Sequence, residues 1–269
     1  MRVRLLGTGG AANEARHQGA LHVEWSDDVG RGRILLDTGG GLDIVRLLLA
    51  AGCEPVEVSD IFVSHQHTDH VGGLEPLLLW SVIRMLNRHG RPADDETRVY
   101  ADRRVLADIM QLFAATITAA PRLFGDKLQW VEVSDGRSAP LRGGARLTTF
   151  LVDHEPPGGG ARGCMVEQNG TRVVYSGDTR PTDRLIEIAR DADVLIHEVG
   201  GLDAQSAEIH RLGHSTGGDA GRAARAAAVA RLVLTHLPSD HLAESMLAEA
   251  RAAFGGPVEL GSDLGLIEI

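Results

Sequence analysis

Short apolar runs bounded by glycine or polar residues alternate along the chain with longer segments of helical periodicity. The short runs predict strands, and apolar positions at helical spacing predict helices. The predicted strands are 3–6, 20–25, 33–36, 61–64, 98–101, 128–133, 146–152, 163–168, 171–176, 194–197, 232–235, 258–260 and 264–268. The predicted helices are 42–51, 74–86, 103–118, 181–190, 216–230 and 241–253, and residues 88–97 are predicted to form a loop.

The order of these elements predicts an α/β fold. Strands followed by mixed strands and helices occur twice along the chain, which indicates two sheets packed together with helices outside. Asn169-Gly170 between two predicted strands is typical of a hairpin turn, and Pro181 is expected in the first turn of its helix. Because no linker or low-complexity run divides the halves, we interpret residues 1–269 as a single domain.

Composition restricts the possible partners and compartment. The 27 basic and 37 acidic residues give a formal net charge of −10, which argues against a non-specific nucleic-acid coat. The two cysteines, Cys53 and Cys164, cannot form a disulfide framework, which is typical of a reducing compartment. The first residues lack the apolar core of a secretion signal, and no span approaches a membrane helix of roughly 18 apolar residues. We therefore expect a cytoplasmic protein with no membrane partner.

A dense histidine cluster gives the strongest indication of chemistry. His65-Gln66-His67-Thr68-Asp69-His70 follows a predicted strand directly and contains three imidazoles and one carboxylate. His65 and His67 can point the same way from an extended strand end, and His67 and His70 lie one helical turn apart. Imidazole and carboxylate together suit zinc or a similar divalent ion. The alternative is a polar histidine-rich turn on the surface.

Three later residues stand at comparable positions. His154, Asp178 and His236 each come at the end of an apolar predicted strand. Taken singly, each would be interpreted as a capping or solvated residue. Their shared placement at strand carboxyl ends, where α/β proteins build their sites, favours one common site. Seven ligands are enough for two metal ions that share one carboxylate.

This pattern resembles the metallo-β-lactamase fold superfamily. The resemblance rests on residues 5–9, 35–39, 65–70, 176–179 and 235–236 and covers nearly the whole chain. It implies a four-layer αββα sandwich of two mixed β-sheets. It also implies a dinuclear site rather than the mononuclear iron site of the superfamily's dioxygenases, with two Zn²⁺ ions expected and Mn²⁺ or Fe²⁺ as alternatives. One ion would be held by His65, His67 and His154, the second by Asp69, His70 and His236, and both by Asp178, with Ser64 and Asp37 orienting ligands.

Within the superfamily the chain is most similar to ribonuclease Z and its phosphodiesterase relatives. Gly213-His214-Ser215-Thr216 matches a His-Ser-Thr motif of that group, whose histidine is thought to protonate the leaving oxygen. Residues 196–199 keep only the His-Glu part of a second motif, which makes Glu198 the expected partner of His214. The catalytic residues implied are Asp69, His214 and Glu198, and Asp69 would orient the nucleophile. The alternative for His214 is a position at a helix N-terminus, with Ser215 or Thr216 as cap.

The chain departs from ribonuclease Z in ways that bear on the substrate. Residues 155–177 are too few for the long arm that grips tRNA in that enzyme, and residues 237–241 lack the arginine expected near a phosphate. A net charge of −10 also opposes tRNA binding. We therefore expect a zinc phosphodiesterase that acts on a small phosphodiester or a nucleic-acid end. The alternatives are hydrolysis of a lactone, ester or amide such as a β-lactam, and a carrier in cofactor biosynthesis resembling PqqB.

Two further motifs suggest other chemistry and are rejected. Residues 7–12 fit the glycine pattern of dinucleotide binding, but that pattern must open a helix and too few residues precede the next strand. These glycines are expected to form a tight turn beside the metals. Residues 213–217 fit a serine-hydrolase elbow, but the polar segment before them does not predict the required strand. A homodimer could form through the apolar segment 77–80, although burial within one chain would explain it equally well.

Overall fold

Two seven-stranded sheets form the centre of the molecule. The computed structural model describes residues 1–26, 28, 30–89, 96–117, 124–154 and 160–269. The first sheet has the order β14-β1-β2-β3-β4-β5-β6, and the second has the order β13-β12-β11-β10-β9-β8-β7. The strands are β1 (Arg2–Gly7), β2 (Ala20–Ser26), β3 (Arg31–Leu36), β4 (Asp60–Phe62), β5 (Thr97–Asp102), β6 (Leu128–Val133), β7 (Ser138–Pro140), β8 (Arg146–Leu151), β9 (Arg162–Gln168), β10 (Thr171–Tyr175), β11 (Val194–Glu198), β12 (Leu232–Thr235), β13 (Val258–Leu260) and β14 (Gly265–Glu268).

Both sheets are mixed. In the first, β14, β1, β2 and β3 pair antiparallel, whereas β3, β4, β5 and β6 pair parallel. In the second, β7 to β10 pair antiparallel and β10 to β13 pair parallel. Strands β8, β10 and β12 consequently run in one direction, and their carboxyl ends meet at one edge of the sheet.

Helices cover the outer face of each sheet. They are α1 (Asp43–Ala50), α2 (Thr68–Val71), α3 (Leu74–His89), α4 (Arg103–Thr116), α5 (Asp183–Ile188), α6 (Ser206–Arg211), α7 (Gly217–Ala226) and α8 (Asp240–Phe254). One apolar cluster joins the first sheet to α1, α3 and α4, and another joins the second sheet to α5, α7 and α8. A third cluster lies between the sheets, where Val3 and Tyr175 are both buried. These layers confirm the predicted αββα sandwich, whereas the single domain stays a prediction.

The sequence located most elements, but several boundaries differ from the prediction by two or more residues. Helix α3 extends to His89, so the loop predicted from residue 88 begins too early. Helix α5 begins after Thr182, whose side chain accepts from the backbone N–H of Arg184, and Pro181 therefore precedes the helix. The predicted helix 216–230 ends at Ala226. The helix predicted over 103–118 ends at Thr116 with Ile117 as its C-cap, and residue 118 lies outside the described residues.

The early end of α7 has a clear physical cause. Ala228 has a φ of 54°, and its N–H donates to the carbonyl of Arg225 while that of Val229 donates to Ala224. This is the Schellman arrangement, in which the left-handed position is normally glycine. Because alanine occupies this position here, the end of the helix could not be predicted from residue type. Two short elements were also missed, strand β7 and helix α6.

Helix α3 contains the apolar segment considered for a homodimer. Leu77 and Leu78 are buried in the core of this chain, so packing within the monomer explains both side chains. A homodimer stays a prediction without support from this segment. In the described part of the chain, no helix has the length and apolar character needed to span a bilayer.

A buried histidine in the first sheet makes folding sensitive to acid. His22 lies on β2 beside Arg4 of β1, and only 4% of its surface is exposed. Burial, together with the charges of Arg33 and Arg4, lowers the pKa of His22 from 6.5 to about 4. The unfolded chain therefore binds a proton near pH 6.5, while the folded protein stays neutral at His22 down to about pH 4. The stability that His22 contributes is present above pH 6.5 and is lost as the pH falls towards 4.

We expect the free energy of unfolding to fall between pH 7 and pH 5 by about 2 kcal/mol more for the wild type than for His22→Gln, because glutamine does not titrate. Urea denaturation at each pH would measure the difference. The other histidines titrate equally in both proteins and cancel. Parallel curves for the two proteins would contradict the neutral state of His22.

Candidate metal centre

The histidine segment after β4 forms a loop and the single-turn helix α2. His65 and His70 are both 0% exposed, whereas His67 is exposed and stands directly before α2. The N–H groups of His70 and Val71 both donate to the carbonyl of His67, which closes the turn. This turn brings His70 back beside His65, with their ring centroids 4.2 Å apart.

The other three candidate ligands come from strand ends, as their sequence positions predicted. His154 follows β8, Asp178 follows β10 and His236 follows β12. Since these strands are parallel, their carboxyl ends present the three side chains at one edge, facing the loop after β4. His154 and His236 are 8% exposed and Asp178 is 3% exposed.

His65, His67 and His154 form the first group of candidate ligands. Nδ1 of His67 lies 2.9 Å from Nε2 of His65 and 3.1 Å from Nε2 of His154. Oδ2 of Asp178 lies 3.8 Å from Nε2 of His65 and 3.9 Å from Nε2 of His154. One ligand atom from each of these four residues therefore lies within 4.8 Å of the others.

Asp69, His70 and His236 form a second group on the other side of Asp178. Oδ2 of Asp69 lies 3.5 Å from Nε2 of His70 and 3.2 Å from Nε2 of His236. Oδ2 of Asp178 is 3.3 Å from Nε2 of His70 and 3.4 Å from Nε2 of His236. Asp178 thus lies between the two groups, at the position expected of a shared ligand.

The orientation of the rings fits a cation. Nδ1 of His70 faces the carboxylate of Asp37 and Nδ1 of His154 faces the carbonyl of Gly213, and both partners are acceptors only. Each Nδ1 must therefore carry a proton, so Nε2, which faces the cluster, is the nitrogen that can bind a metal ion. Nε2 of His70 and Oδ1 of Asp178 are buried without a hydrogen-bond partner. Converging lone pairs with unused acceptor capacity are what a divalent ion requires of its ligands.

The electrostatics of the cluster favour ionised carboxylates and a neutral His65. Burial and the neighbouring His70 hold the pKa of His65 well below 6.5, which keeps this ring neutral. Burial opposes ionisation of Asp69, yet the hydrogen bond from His236 lowers its pKa to about 2. Burial likewise opposes ionisation of Asp178, but His236 and His70 hold its pKa well below the usual range. Burial opposes a charge on His70, but the carboxylates of Asp178 and Asp37 raise its pKa well above 6.5, so an ion that binds Nε2 of His70 must displace a proton. His65, Asp69 and Asp178 are already in the forms that bind metal, which are neutral imidazole and ionised carboxylate.

Asp37 supports the cluster from behind. Its fully buried carboxylate accepts from the N–H of Ser64 at 2.7 Å, the hydroxyl of Ser64 at 2.7 Å, Nδ1 of His70 at 2.8 Å and the hydroxyl of Tyr175 at 2.9 Å. The Ser64 hydroxyl also lies 3.0 Å from Nδ1 of His65. Asp37 and Ser64 therefore contact His70 and His65, two of the candidate ligands that they are predicted to orient. Tyr175 was missed, because it ends an apolar strand and nothing in the sequence separates it from a core residue.

Two glycines approach the ligands closely. Gly213 has a φ of 91°, and a Cβ there would lie 2.8 Å from Nδ1 of His154. Gly10, in the loop after β1, packs on His236 so that a Cβ would lie 3.1 Å from Cε1 of that ring. The predicted glycine turn beside the cluster is therefore present. Residues 10–19 form no helix after this turn, whereas a dinucleotide-binding motif must open one.

His214 and Glu198 lie together at the side of the cluster. Nδ1 of His214 is 3.1 Å from Oε1 of Glu198, a fully buried carboxylate oxygen that also accepts from the N–H groups of Thr179 and Ser215. The His214 ring stacks on His236 at 5.4 Å between centroids. Burial opposes a charge on His214, but the Glu198 carboxylate raises its pKa to about 9. The pairing expected from the sequence is present.

The serine-hydrolase motif does not form an elbow. The element before Gly213 is helix α6 rather than a strand. Ser215 is fully buried, and its hydroxyl donates to the carbonyl of Thr179. Ser215 is therefore not placed as a nucleophile.

Known proteins share this architecture. The family described as the Beta-lactamase superfamily domain matches residues 32–237. A ribonuclease Z of Pyrobaculum calidifontis is 32% identical over 268 residues, which cover 90% of this chain and 88% of that enzyme. The metallo-β-lactamase fold protein YhfI of Bacillus subtilis superposes with a TM-score of 0.82 at 20% identity, covering 99% of this chain and 98% of YhfI. The short form of human tRNase Z superposes with a TM-score of 0.74 at 23% identity, covering 100% and 99%. The chain therefore belongs to the β-lactamase superfamily and has the metallo-β-lactamase fold.

Proposed function

We propose that the protein is a metal-dependent phosphodiesterase, similar to ribonuclease Z, that acts on a small phosphodiester or on a nucleic-acid end. The observation that carries this proposal is the contact between His214 and the buried carboxylate of Glu198, 3.1 Å apart beside the ligand cluster. Cleavage of a phosphodiester expels an alkoxide, which needs a proton from a positioned donor. The similarity to the ribonuclease Z of Pyrobaculum calidifontis supports the same reaction class.

Seven side chains would hold two metal ions, with Zn²⁺ as the expected ion and Mn²⁺ or Fe²⁺ as alternatives. His65, His67 and His154 would bind one ion, Asp69, His70 and His236 the other, and Asp178 both. When bound, such a pair supplies an acidified water as nucleophile and positive charge for the developing charge on the phosphate. Asp69, held ionised and beside His236, would accept a hydrogen bond from the nucleophile and orient it.

His214 would act as the general acid. Its Nδ1 faces Glu198, so Nε2 is the nitrogen left to give a proton to the leaving oxygen. Glu198 would orient the ring and stabilise its positive charge through a charge-assisted hydrogen bond. The N–H groups of Thr179 and Ser215 hold the same carboxylate oxygen in place and thereby define the position of the acid.

The chain favours a small substrate over tRNA. Residues 162–168 and 171–175 form the β9–β10 hairpin, which leaves little of the segment between His154 and Asp178 for a tRNA-gripping arm. The net charge of −10 also weakens any electrostatic attraction to a long polyanion.

We expect the metal-loaded protein to hydrolyse an activated aryl phosphodiester faster than an aryl lactone or a β-lactam of similar reactivity. Initial rates on the three substrates at equal concentration would measure this preference. A faster lactone or β-lactam reaction would replace the proposal with ester or amide hydrolysis, and no turnover of any substrate would favour a carrier.

Removal of the metal ions should abolish hydrolysis. Dialysis against a strong chelator is expected to remove the activity, and addition of Zn²⁺ or Mn²⁺ should restore it, whereas a serine-directed reagent should have no effect because Ser215 is buried. Elemental analysis should find close to two ions per chain in active protein, and fewer in Asp178→Asn. Full activity after verified metal removal would contradict the proposal.

Replacement of His214 should affect substrates according to their leaving group. For His214→Ala we expect kcat to fall about 100-fold or more on an alkyl phosphodiester, but less than about 10-fold on an activated aryl diester, which needs no proton donor. Glu198→Gln should show the same pattern more weakly. His241→Ala is the matched control, because His241 is exposed at the start of α8 and lies outside the cluster. Equal losses on both substrates would remove the acid role from His214.

A further inference from the structure

Arg180 connects two loops that flank the ligand cluster. It lies two residues after Asp178 in the turn that follows β10. On one side its Nη1 donates to the carbonyl of Asp153 at 3.2 Å, to Oδ1 of Asp153 at 3.1 Å and to the carbonyl of His154 at 3.3 Å. Its own N–H also donates to the carbonyl of Asp153 at 2.8 Å. The guanidinium therefore holds the loop that carries His154.

On the other side, the same guanidinium caps helix α6. Nε donates to the carbonyl of His210, and Nη2 lies 3.4 Å from the carbonyl of Arg211. These carbonyls end the helix that leads into Gly213 and His214. A cation at this end also interacts favourably with the unpaired carbonyl groups of the last turn.

The two loops are joined by a third contact. Nδ1 of His154 lies 2.9 Å from the carbonyl of Gly213, the residue directly before His214. Arg180, His154 and Gly213 therefore complete a closed ring of contacts between a candidate metal ligand and the candidate general acid.

An ordinary surface ion pair does not explain these contacts. The side chains of Arg180 and Asp153 are 30% and 59% exposed, and a pair of this exposure contributes little to stability. Apart from Oδ1 of Asp153, the acceptors of the guanidinium are main-chain carbonyls. They belong to the loop of His154 and to the last turn of α6. The guanidinium spreads five N–H donors over three nitrogen atoms, whereas lysine carries its three donors on one nitrogen and cannot reach the carbonyls on both sides.

We propose that Arg180 is a positioning residue that fixes the loop of His154 relative to the loop of His214. This side chain then determines both how firmly the group of His65, His67 and His154 retains a metal ion and where the proton donor stands. The second part rests on the proposed function, whereas the first part depends only on metal binding.

The test compares Arg180→Ala and Arg180→Lys with the matched control Arg184→Ala. Arg184 also makes two ion pairs, with Asp135 and Glu187, but it contacts none of the candidate ligands in the part of the chain that the structure describes. Competition with a chromophoric chelator would measure Zn²⁺ affinity in each protein. We expect one of the two ions to bind about 10- to 100-fold more weakly in both Arg180 variants, and the control to match the wild type.

A double-mutant cycle tests the link to His214. The ratio of kcat on an alkyl to kcat on an aryl phosphodiester should fall in Arg180→Ala, and the double variant should have the same ratio as His214→Ala alone, because both changes act on the same proton donor. Fully additive losses would overturn this link.

Two further outcomes decide the proposal. Wild-type affinity for both ions in Arg180→Ala, or full retention in Arg180→Lys, would overturn it, since lysine keeps the charge but cannot span the loops. Circular dichroism of each metal-free variant checks folding, and if Arg180→Ala is unfolded, Arg180→Lys provides the answer. If the wild type binds two ions but hydrolyses no phosphodiester, the proposed function fails while the affinity comparison still tests Arg180.

Discussion

The buried carboxylate of Asp37 is the contact on which the arrangement of the site depends. A carboxylate without solvent is costly unless donors surround it, and here Ser64, His70 and Tyr175 supply four hydrogen bonds. Ser64 and His70 flank the first sheet and Tyr175 belongs to the second, so the need to satisfy one side chain holds the two sheets in register at the edge where the ligands lie. Nε2 of His70 is directed into the cluster as a result of the same contact.

The sequence was sufficient to locate the candidate ligands, because strand ends in an α/β fold are few and the residue types there are chemically distinctive. His154, Asp178 and His236 are separated widely in the chain, yet each follows an apolar strand, and parallel pairing brings such positions together. The pairing of His214 with Glu198 was available only through resemblance to a known family, since no local pattern relates two residues on different elements. The layered fold followed from the order of its elements in the same way.

Other features could not be predicted, for physical reasons. The partner of His154 is the carbonyl of Gly213, and a main-chain acceptor has no residue type to recognise in a sequence. Tyr175 makes a contact that depends on how the two sheets pack, and Arg180 makes contacts with the loop after β8 and the end of α6 that no local pattern indicates. Helix α7 ends at an alanine in a left-handed conformation, where packing overrides the residue preference that would have marked the boundary.

The dispersal of the ligands over four strand ends has a consequence for biosynthesis. The ribosome synthesises His65 to His70 early. Asp178 follows much later, after β10, and His236 follows later still, after β12. A nascent chain that has released only β1 to β6 offers three imidazoles and a carboxylate but no shared ligand. If these side chains bind two ions as proposed, complete loading would follow emergence of β12 from the ribosome and would be a late step in maturation.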